Sequence, residues 1–325
     1  MMRNDQPLPD QTVEVAQAVR NLMPAMQNKA RIALVVIIIA FVAATLGVAL
    51  FLNSDMEGED RWKFAMFSAL GGVLVVMGIF KWMIRAQEAL VMPVVAGAIG
   101  LTYAKDAKAF VRALPKRLLP TRGVRSGEDH VRGSLGAHAI QMAEVKVETG
   151  GKNSRTLFRG IVAQFPNRVA MPAFYVALED KTRPGMFFGG ELDTEGLHHL
   201  RNIHQNGRSY GVWTSWSEVP EPPALSAVVE ILTRVDEHIG SGAELYAATS
   251  NGEEMHLALS HKRNLFRIGG LFPSENELFA DVRAAMQDLT MPLKLAQALI
   301  SAEETAVAKA NALASDQAKG EGAKS

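Results

Sequence analysis

The sequence predicts an α+β protein in which an N-terminal two-helix transmembrane hairpin, residues 31–84, precedes a mixed α+β cytoplasmic domain with mainly antiparallel strands. Two long uncharged runs near the N-terminus, residues 32–52 and 64–80, predict the hairpin. From about residue 134, the helical spacing of apolar residues gives way to alternation, which is typical of strands. The 325 residues include no cysteine, which excludes disulfides, thiolate metal sites and cysteine nucleophiles.

Both apolar runs are long enough to cross a bilayer. A helix rises about 1.5 Å per residue, so about 20 apolar residues span a hydrocarbon core of about 30 Å. The second run reaches this length when it continues to Ile84. Basic residues are more numerous outside the hairpin than in its loop, residues 53–63, and the positive-inside rule then places both termini in the cytoplasm. We therefore expect a multi-pass membrane protein whose loop would face the periplasm in a bacterial cell.

Small residues lie along one face of the second span, namely Ser68, Ala69, Gly71, Gly72 and Gly78. Such a face allows close approach of helices in a membrane. Packing against the first span is the favoured interpretation, and homo-oligomerisation is the alternative. Neither span carries an intramembrane charge, so the pattern favours an anchor over a pore.

The segments that flank the hairpin are predicted to be helical. Residues 1–30 form an amphipathic segment that bends at Pro24, and residues 85–133 form a basic juxtamembrane region. Within the latter, residues 89–103 are apolar but too short for a third span and are broken by Pro93. We expect a helix that leaves the bilayer there, with a re-entrant or interfacial segment as the alternative.

The most basic stretch, residues 105–132, has eight basic and three acidic residues and a net charge of +5. Juxtamembrane clusters of this kind attract anionic lipid by about 1 kcal/mol per base. An ordinary solvated helix face explains the charges equally well, whereas nucleic-acid binding is disfavoured because aromatic residues are not interleaved. The residues predicted to contact lipid or a protein partner are Lys105, Lys108, Arg112, Lys116, Arg117, Arg122 and Arg125.

The α+β cytoplasmic domain is predicted over residues 134–300, followed by a disordered tail, residues 301–325, that is rich in alanine, lysine and glutamate. Alternating patterns and turn residues predict strands at 137–149, 155–165, 169–178, 211–219, 243–249 and 254–260. Pro172 suggests a sheet edge or a bulge, and Asn251-Gly252 predicts a tight hairpin. Helices are expected at 193–205, 224–239 and 275–300, the last interrupted by Pro292.

The sequence carries no recognisable catalytic, cofactor-binding or metal-binding signature, and no cofactor is predicted. His198, His199 and His204 fall on one predicted helix without the i, i+4 spacing that would bring two imidazoles together. The carboxylates of Glu128, Asp129 and Glu144 are suited to acid–base work or to a divalent cation. Strand capping, or pairing with a nearby arginine such as Arg132 or Arg125, is the favoured interpretation of these three.

Several motifs resemble a group of uncharacterised bacterial membrane proteins that have two N-terminal spans and a cytoplasmic domain of unknown function. The resemblance covers about residues 30–300 and includes the hairpin. The other matching residues are Glu128 to Gly133, the strand Thr156-Leu157-Phe158-Arg159-Gly160, and Asn264-Leu265-Phe266 before the last helix. It implies the same architecture and brings no activity with it.

The sequence therefore favours a membrane-anchored, non-enzymatic domain that binds a protein partner or the inner-leaflet surface. Two alternatives stay open. One is a membrane-associated enzyme of unknown reaction, with its site between the strands and the helix at 224–239. The other is an accessory subunit of a transporter or envelope complex.

Overall fold

The computed structural model describes residues 9–53, 58–151, 154–179, 196–239, 242–261, 265–266, 268 and 274–322. The described part of the chain is mixed helix and antiparallel sheet, 54% helical and 28% strand, which confirms the predicted α+β class. The helices are α1 (Pro9–Leu52), α2 (Gly58–Ala98), α3 (Lys108–Ala113), α4 (Pro223–Thr233), α5 (Val235–Ile239) and α6 (Glu275–Gly322).

Nine strands form one sheet in the order β1-β2-β3-β4-β9-β8-β5-β7-β6, and every neighbouring pair is antiparallel. The strands are β1 (Thr102–Asp106), β2 (Val124–Leu135), β3 (His138–Glu148), β4 (Thr156–Pro166), β5 (Phe174–Leu178), β6 (His198–Gln205), β7 (Arg208–Thr214), β8 (Ala243–Ser250) and β9 (Glu254–His261). The predicted hairpin at Asn251-Gly252 joins β8 to β9 and is confirmed.

The chain divides into two compact units. The helical unit comprises Met1–Ile99 and Phe266–Met286, and the sheet unit comprises Gly100–Leu265 and Gln287–Ser325. In the helical unit, the N-terminal half of α1 buries side chains such as Val19 and Met26. Arg20 pairs there with Glu275 at the start of α6.

The sheet unit has a hydrophobic core on one face of the sheet. Side chains of α3 and of the 3-10 turn Lys116–Leu118 cover this face, which we call face A. The strands contribute Val145, Phe158, Val162, Tyr175 and Ala258, among others, to the same cluster. The opposite face of the central strands is also buried, for example at Leu257.

Three prolines that we expected to bend, break or interrupt helices lie inside continuous ones, and one of them is Pro93 within α2. Pro24 is within α1, so the predicted amphipathic segment and the first apolar run form a single helix, and Pro292 is within α6. A proline removes one backbone hydrogen bond and costs about 3 kcal/mol in a helix interior. Buried side chains on both sides of Pro24 and Pro292 offset this cost, Val19 and Met26 in α1 and Leu289 and Leu295 in α6.

The helical prediction for residues 85–133 is correct only through the end of α2 and in α3. Residues in β1 and in β2 are strands, so the sheet begins well before residue 134. The prediction followed the density of basic residues, which does not distinguish helix from strand. Tertiary pairing decides here, because β2 forms backbone pairs with β1 and β3 along most of its length.

Residues 301–322 continue α6 in place of the predicted disorder, and residues 323–325 lie outside the described residues. Alanine, lysine and glutamate are strong helix formers, so few bulky apolar residues are needed. The fully buried Glu303 also ties this segment to the sheet unit, because its carboxylate accepts the backbone N–H groups of Arg168 (2.6 Å) and Val169 (3.2 Å).

Two further local predictions are corrected. The described part of the predicted helix at 193–205 contains the strand β6, whose backbone pairs with β7. The strand near Pro172 is not at a sheet edge, because it begins only at Phe174 and lies between β8 and β7. In both cases, strand pairing overrides the local pattern: β6 pairs with β7, which follows after two residues, and β5 pairs with β8, about 70 residues later.

Candidate functional site

The first candidate surface is the apolar belt of α1 and α2. In the described chain, these are the two helices that are long and apolar enough to cross a membrane, and their most apolar windows are only 0% and 6% buried. Large apolar side chains are exposed from Ile32 to Leu50 and from Trp62 to Trp82. Monomeric soluble proteins rarely expose contiguous apolar patches larger than a few hundred Å². The belt is therefore a surface that requires an apolar environment.

The two helices touch through small residues. The Ser68 hydroxyl donates to the carbonyl of Ala44 at 3.3 Å, and a Cβ at Gly72 would lie 2.7 Å from the Cβ of Ala44. Gly71 and Gly78 face away, since a Cβ at either would meet no described heavy atom within 4 Å. Part of the predicted small-residue face thus packs within the chain, as favoured. The part of this face at Gly71 and Gly78 has free space beside it, and contact between two copies of the chain through this part stays a prediction.

Gly72→Leu is expected to weaken the contact between α1 and α2, because its Cβ has no room beside Ala44. Overpacking of a tight contact destabilises by about 1–3 kcal/mol. Unfolding of the full-length protein by titration with a denaturing detergent measures the change. Gly71→Leu adds the same side chain where space is open and should leave the midpoint unchanged. Equal effects of the two variants would contradict this packing.

Four of the predicted basic contact residues are exposed: Lys108, Arg112, Lys116 and Arg122. Lys108 and Arg112 are four residues apart in α3 and therefore lie on one side of that helix. Phe110 and Val111 of the same helix are buried, so the short helix has an apolar inner side and a basic outer side. We call these four residues the basic surface.

The other three predicted contact residues have partners or positions inside the sheet unit. Lys105 pairs with Asp129 (2.9 Å) and Glu128 (3.2 Å). Arg125 donates from Nη2 to the carbonyls of Lys116 (2.9 Å) and Leu119 (3.2 Å), so it holds β2 to the 3-10 turn. The Arg117 side chain is only partly exposed. Lys105 and Arg125 therefore serve the fold before they serve any partner.

The structure brings together the three carboxylates that the sequence singled out. Glu128 lies directly across from Glu144 in the pairing of β2 with β3, and a β-bulge places Asp129 beside them with a φ of 58°. Two positive side chains offset part of this negative charge: Lys105 pairs with Asp129 at 2.9 Å, and Arg159 Nε donates to Glu144 Oε1 at 3.1 Å. These partners are not the predicted ones, Arg125 and Arg132.

Burial dominates the electrostatics of this cluster. Desolvation raises the pKa of Glu144 from 4.5 to about 7, against the opposing effect of its hydrogen bond and charge interaction with Arg159. The charges of Asp129 and Glu128 raise it further. A carboxyl group with such a pKa is able to exchange a proton near neutral pH. A catalytic role is not required to explain this cluster, because a structural ion pair between Glu144 and Arg159 explains it equally directly.

A polar ladder that the sequence did not reveal crosses four strands on face A. His130 contacts the Gln141 amide at 3.2 Å, Gln141 donates to Gln164 at 2.8 Å, and Gln164 donates to Glu254 at 2.9 Å. Beside it, burial lowers the pKa of His256 from 6.5 to about 4, so this imidazole is neutral in the folded protein. The sequence alone could not identify this ladder, because its members are distant in sequence and become neighbours only through the register of the strands.

The predicted helix with three histidines does not exist in the described chain, because His198, His199 and His204 lie in β6. Alternation in a strand places His198 on the opposite face from His199. Among the described residues, no group of three or more histidine, aspartate or glutamate side chains is arranged to hold a metal ion.

Comparison with known proteins gives no further guide to this site. No family model, no curated protein and no solved structure matches the chain. The resemblance to two-span bacterial membrane proteins therefore stays a prediction, and the case for function depends on the physical chemistry of the surfaces described above.

Proposed function

We propose that the protein is an integral protein of the bacterial inner membrane, anchored by the hairpin of α1 and α2, with both termini in the cytoplasm. Its sheet unit binds anionic lipid of the inner leaflet or a protein partner. The observation that supports this proposal most is the apolar belt, whose large side chains are exposed along both helices.

The change in burial along α1 supports the membrane boundary. Val15, Val19, Met26 and Ala30 are buried, whereas large apolar side chains are exposed from Ile32 onward. The 44 residues of α1 extend about 66 Å, roughly twice the thickness of a hydrocarbon core. One half of the helix is therefore suited to packing against protein, and the other half is suited to contact with lipid.

The second helix has matching boundary signals. Trp62 and Trp82 are exposed at the two ends of its apolar run, where tryptophan is enriched at membrane interfaces. Glu59 pairs with Lys63 at 2.7 Å near the helix start. The greater number of basic residues on the outer flanks favours cytoplasmic termini.

The basic surface supports lipid contact. It follows α2 closely in the chain, because only three residues separate the end of α2 from β1. Four exposed bases near an anionic leaflet contribute about 4 kcal/mol at about 1 kcal/mol each. Salt weakens such an interaction, because the Debye length is about 8 Å at physiological ionic strength.

If the basic surface contacts anionic lipid, the lipid composition should change how strongly α3 is protected from amide hydrogen exchange. Full-length protein is reconstituted in nanodiscs of phosphatidylcholine, with or without phosphatidylglycerol, and amide hydrogen exchange is measured over α3. Exchange is expected to slow when the anionic lipid is present, and high salt should remove the difference.

A double variant with a matched control sharpens this test. Lys108→Gln with Arg112→Gln should abolish the lipid dependence. Lys294→Gln with Lys309→Gln removes two exposed positive charges elsewhere and should preserve it. If exchange over α3 is the same in both lipid compositions, the lipid contact is wrong and a protein partner is left as the function of the sheet unit.

The structure gives the enzyme alternative little support. That alternative placed a site beside the helix at 224–239, which is α4 followed by α5. Leu225, Val228, Val229 and Leu232 of α4 are fully buried, so the apolar side of this helix is packed and does not line an open cleft. No observation in the described chain favours a particular reaction.

A further inference from the structure

A narrow apolar groove runs along one side of the contact between α1 and α2. Half-buried residues form its floor, and exposed residues form its rim. The floor residues are Ala44, Val48, Gly72 and Val76, and the rim residues are Phe41, Thr45, Ala69, Val73 and Met77. The groove has a volume of about 430 Å³, which is in the range of ligand pockets. The apolar belt therefore contains a space large enough for a ligand.

The lining of the groove favours an apolar occupant. Thr45 carries the one hydroxyl group of the lining, and this hydroxyl already donates to the carbonyl of Phe41 at 2.9 Å. No residue of the lining is charged. A polar group that is buried without a hydrogen-bond partner costs free energy, so a polar ligand would lose its water without compensation. The groove is therefore suited to hydrocarbon.

The width of the groove decides between two apolar occupants. The groove extends from Ala69 to Met77, which is a rise of about 12 Å along α2. A volume of about 430 Å³ over this length corresponds to a mean cross-section of about 36 Å². A helix with its side chains is about 10 Å wide and has a cross-section of about 80 Å². The groove is therefore too narrow for a helix of a second copy, whereas one hydrocarbon chain fits.

A positive charge lies one helical turn from the groove. Lys81 follows Met77 by four positions in α2, and residues with this spacing are neighbours with about 5–6 Å between their Cβ atoms. Lys81 and the adjacent Trp82 are both exposed. No acidic residue occurs in α2 between Asp60 and Glu88, and the second half of α1 has none either. This end of the groove therefore attracts an anion.

We propose that the groove binds one anionic phospholipid of the inner leaflet. One acyl chain lies in the groove, and the phosphate group accepts a hydrogen bond from the ammonium group of Lys81. The lengths agree, because Ala69 is about 18 Å from Lys81 along α2, close to the half-thickness of a hydrocarbon core, about 15 Å. The inference rests on the proposed membrane anchoring with cytoplasmic termini. It is separate from the lipid contact of the basic surface, which lies in the sheet unit.

The probe is phosphatidylglycerol, added to detergent-solubilised full-length protein and followed by native mass spectrometry. One molecule is expected to bind to each chain in a saturable manner. Phosphatidylcholine with the same acyl chains should bind about fivefold more weakly, because its headgroup carries no net charge for Lys81 to attract.

Lys81→Gln tests the contact with the headgroup. It should lower the affinity for phosphatidylglycerol about fivefold and leave the affinity for phosphatidylcholine unchanged. Lys63→Gln is the matched control, because it removes a base at the opposite end of the apolar run of α2. It should alter neither affinity.

Thr45→Phe tests the contact with the acyl chain. The added ring fills part of the groove and should weaken the binding of both lipids by about tenfold, because less apolar surface of the chain is then buried. Leu46→Phe places the same ring at an exposed position outside the lining and should have no effect.

Equal affinities for the two lipids, or equal effects of Thr45→Phe and Leu46→Phe, would overturn the proposal. Carbonate extraction of membranes from the same cells tests the anchoring separately. Protein that stays in the membrane fraction supports the anchor whatever the result with lipid. Protein that is released into the supernatant contradicts the anchor itself.

Discussion

Gly160→Ala is expected to destabilise the protein strongly, because the added methyl group would meet the backbone of a neighbouring strand. Gly160 stands in β4 opposite Ser260 of β9, and a Cβ there would lie 1.8 Å from the carbonyl oxygen of Leu259. Backbone cannot move aside like a flexible side chain. The methyl group must therefore push β4 away from β9, between the two halves of the sheet.

The expected loss in the free energy of unfolding is about 3 kcal/mol or more, at the upper end of the range for overpacking. Chemical unfolding of the full-length protein in detergent, followed by circular dichroism of the sheet, measures it. Gly150→Ala is the control, because a Cβ there would meet no described heavy atom within 4 Å. A Gly160→Ala variant as stable as this control would contradict the close approach of β4 and β9.

Glu144→Gln is expected to change how stability depends on pH. The pKa of Glu144 is raised in the folded protein, so folding takes up a proton between pH 4.5 and about 7. Stability from this group is fully present below pH 4.5 and is lost as the pH rises through about 7. The loss amounts to about 3 kcal/mol at 1.36 kcal/mol per pH unit. Glutamine does not titrate and keeps an oxygen that accepts the Arg159 hydrogen bond.

The stability of Glu144→Gln relative to the unsubstituted protein should therefore increase by about 3 kcal/mol between pH 4.5 and pH 8. Chemical unfolding at a series of pH values measures this difference in the free energy of unfolding. The contributions of titratable groups that both proteins share cancel in the difference. A constant difference across this range would show that Glu144 is ionised with an ordinary pKa.

His256 supplies a comparison of opposite sign. Burial lowers its pKa to about 4, so its stabilising effect is present above pH 6.5 and is lost as the pH falls through about 4. Relative to the unsubstituted protein, His256→Gln should gain stability toward low pH, whereas Glu144→Gln gains it toward high pH. In the unsubstituted protein, the two effects largely cancel between pH 4.5 and pH 6.5.

The sequence predicted best those elements that local chemistry determines. The two apolar runs became exposed stretches of α1 and α2, and Asn251-Gly252 became a hairpin turn. The segment Thr156 to Gly160, which contributed to the predicted resemblance, also has a physical meaning. Phe158 is in the core, Arg159 binds Glu144, and Gly160 permits the close approach of β9.

Strands that form by pairing with other strands were predicted poorly. The strand β6 was predicted as a helix, although it pairs with β7 only two residues further along the chain, and the stretch that contains β1 and β2 was predicted as helical from its density of basic residues. A local pattern of charges or histidines does not reveal which segments will pair. The same limit applies to candidate sites, because the polar ladder from His130 to Glu254 forms only through the register of four strands.

Site-specific thiol labelling tests the central claim, membrane anchoring by a hairpin with cytoplasmic termini, most directly. The chain has no cysteine, so each introduced cysteine is a unique label. With a membrane-impermeant maleimide, Asn53→Cys at the end of α1 should react in intact spheroplasts. Thr121→Cys in the sheet unit should react only after the membrane is opened. Reaction of both positions in intact spheroplasts, or of neither until the membrane is opened, would contradict the proposed topology.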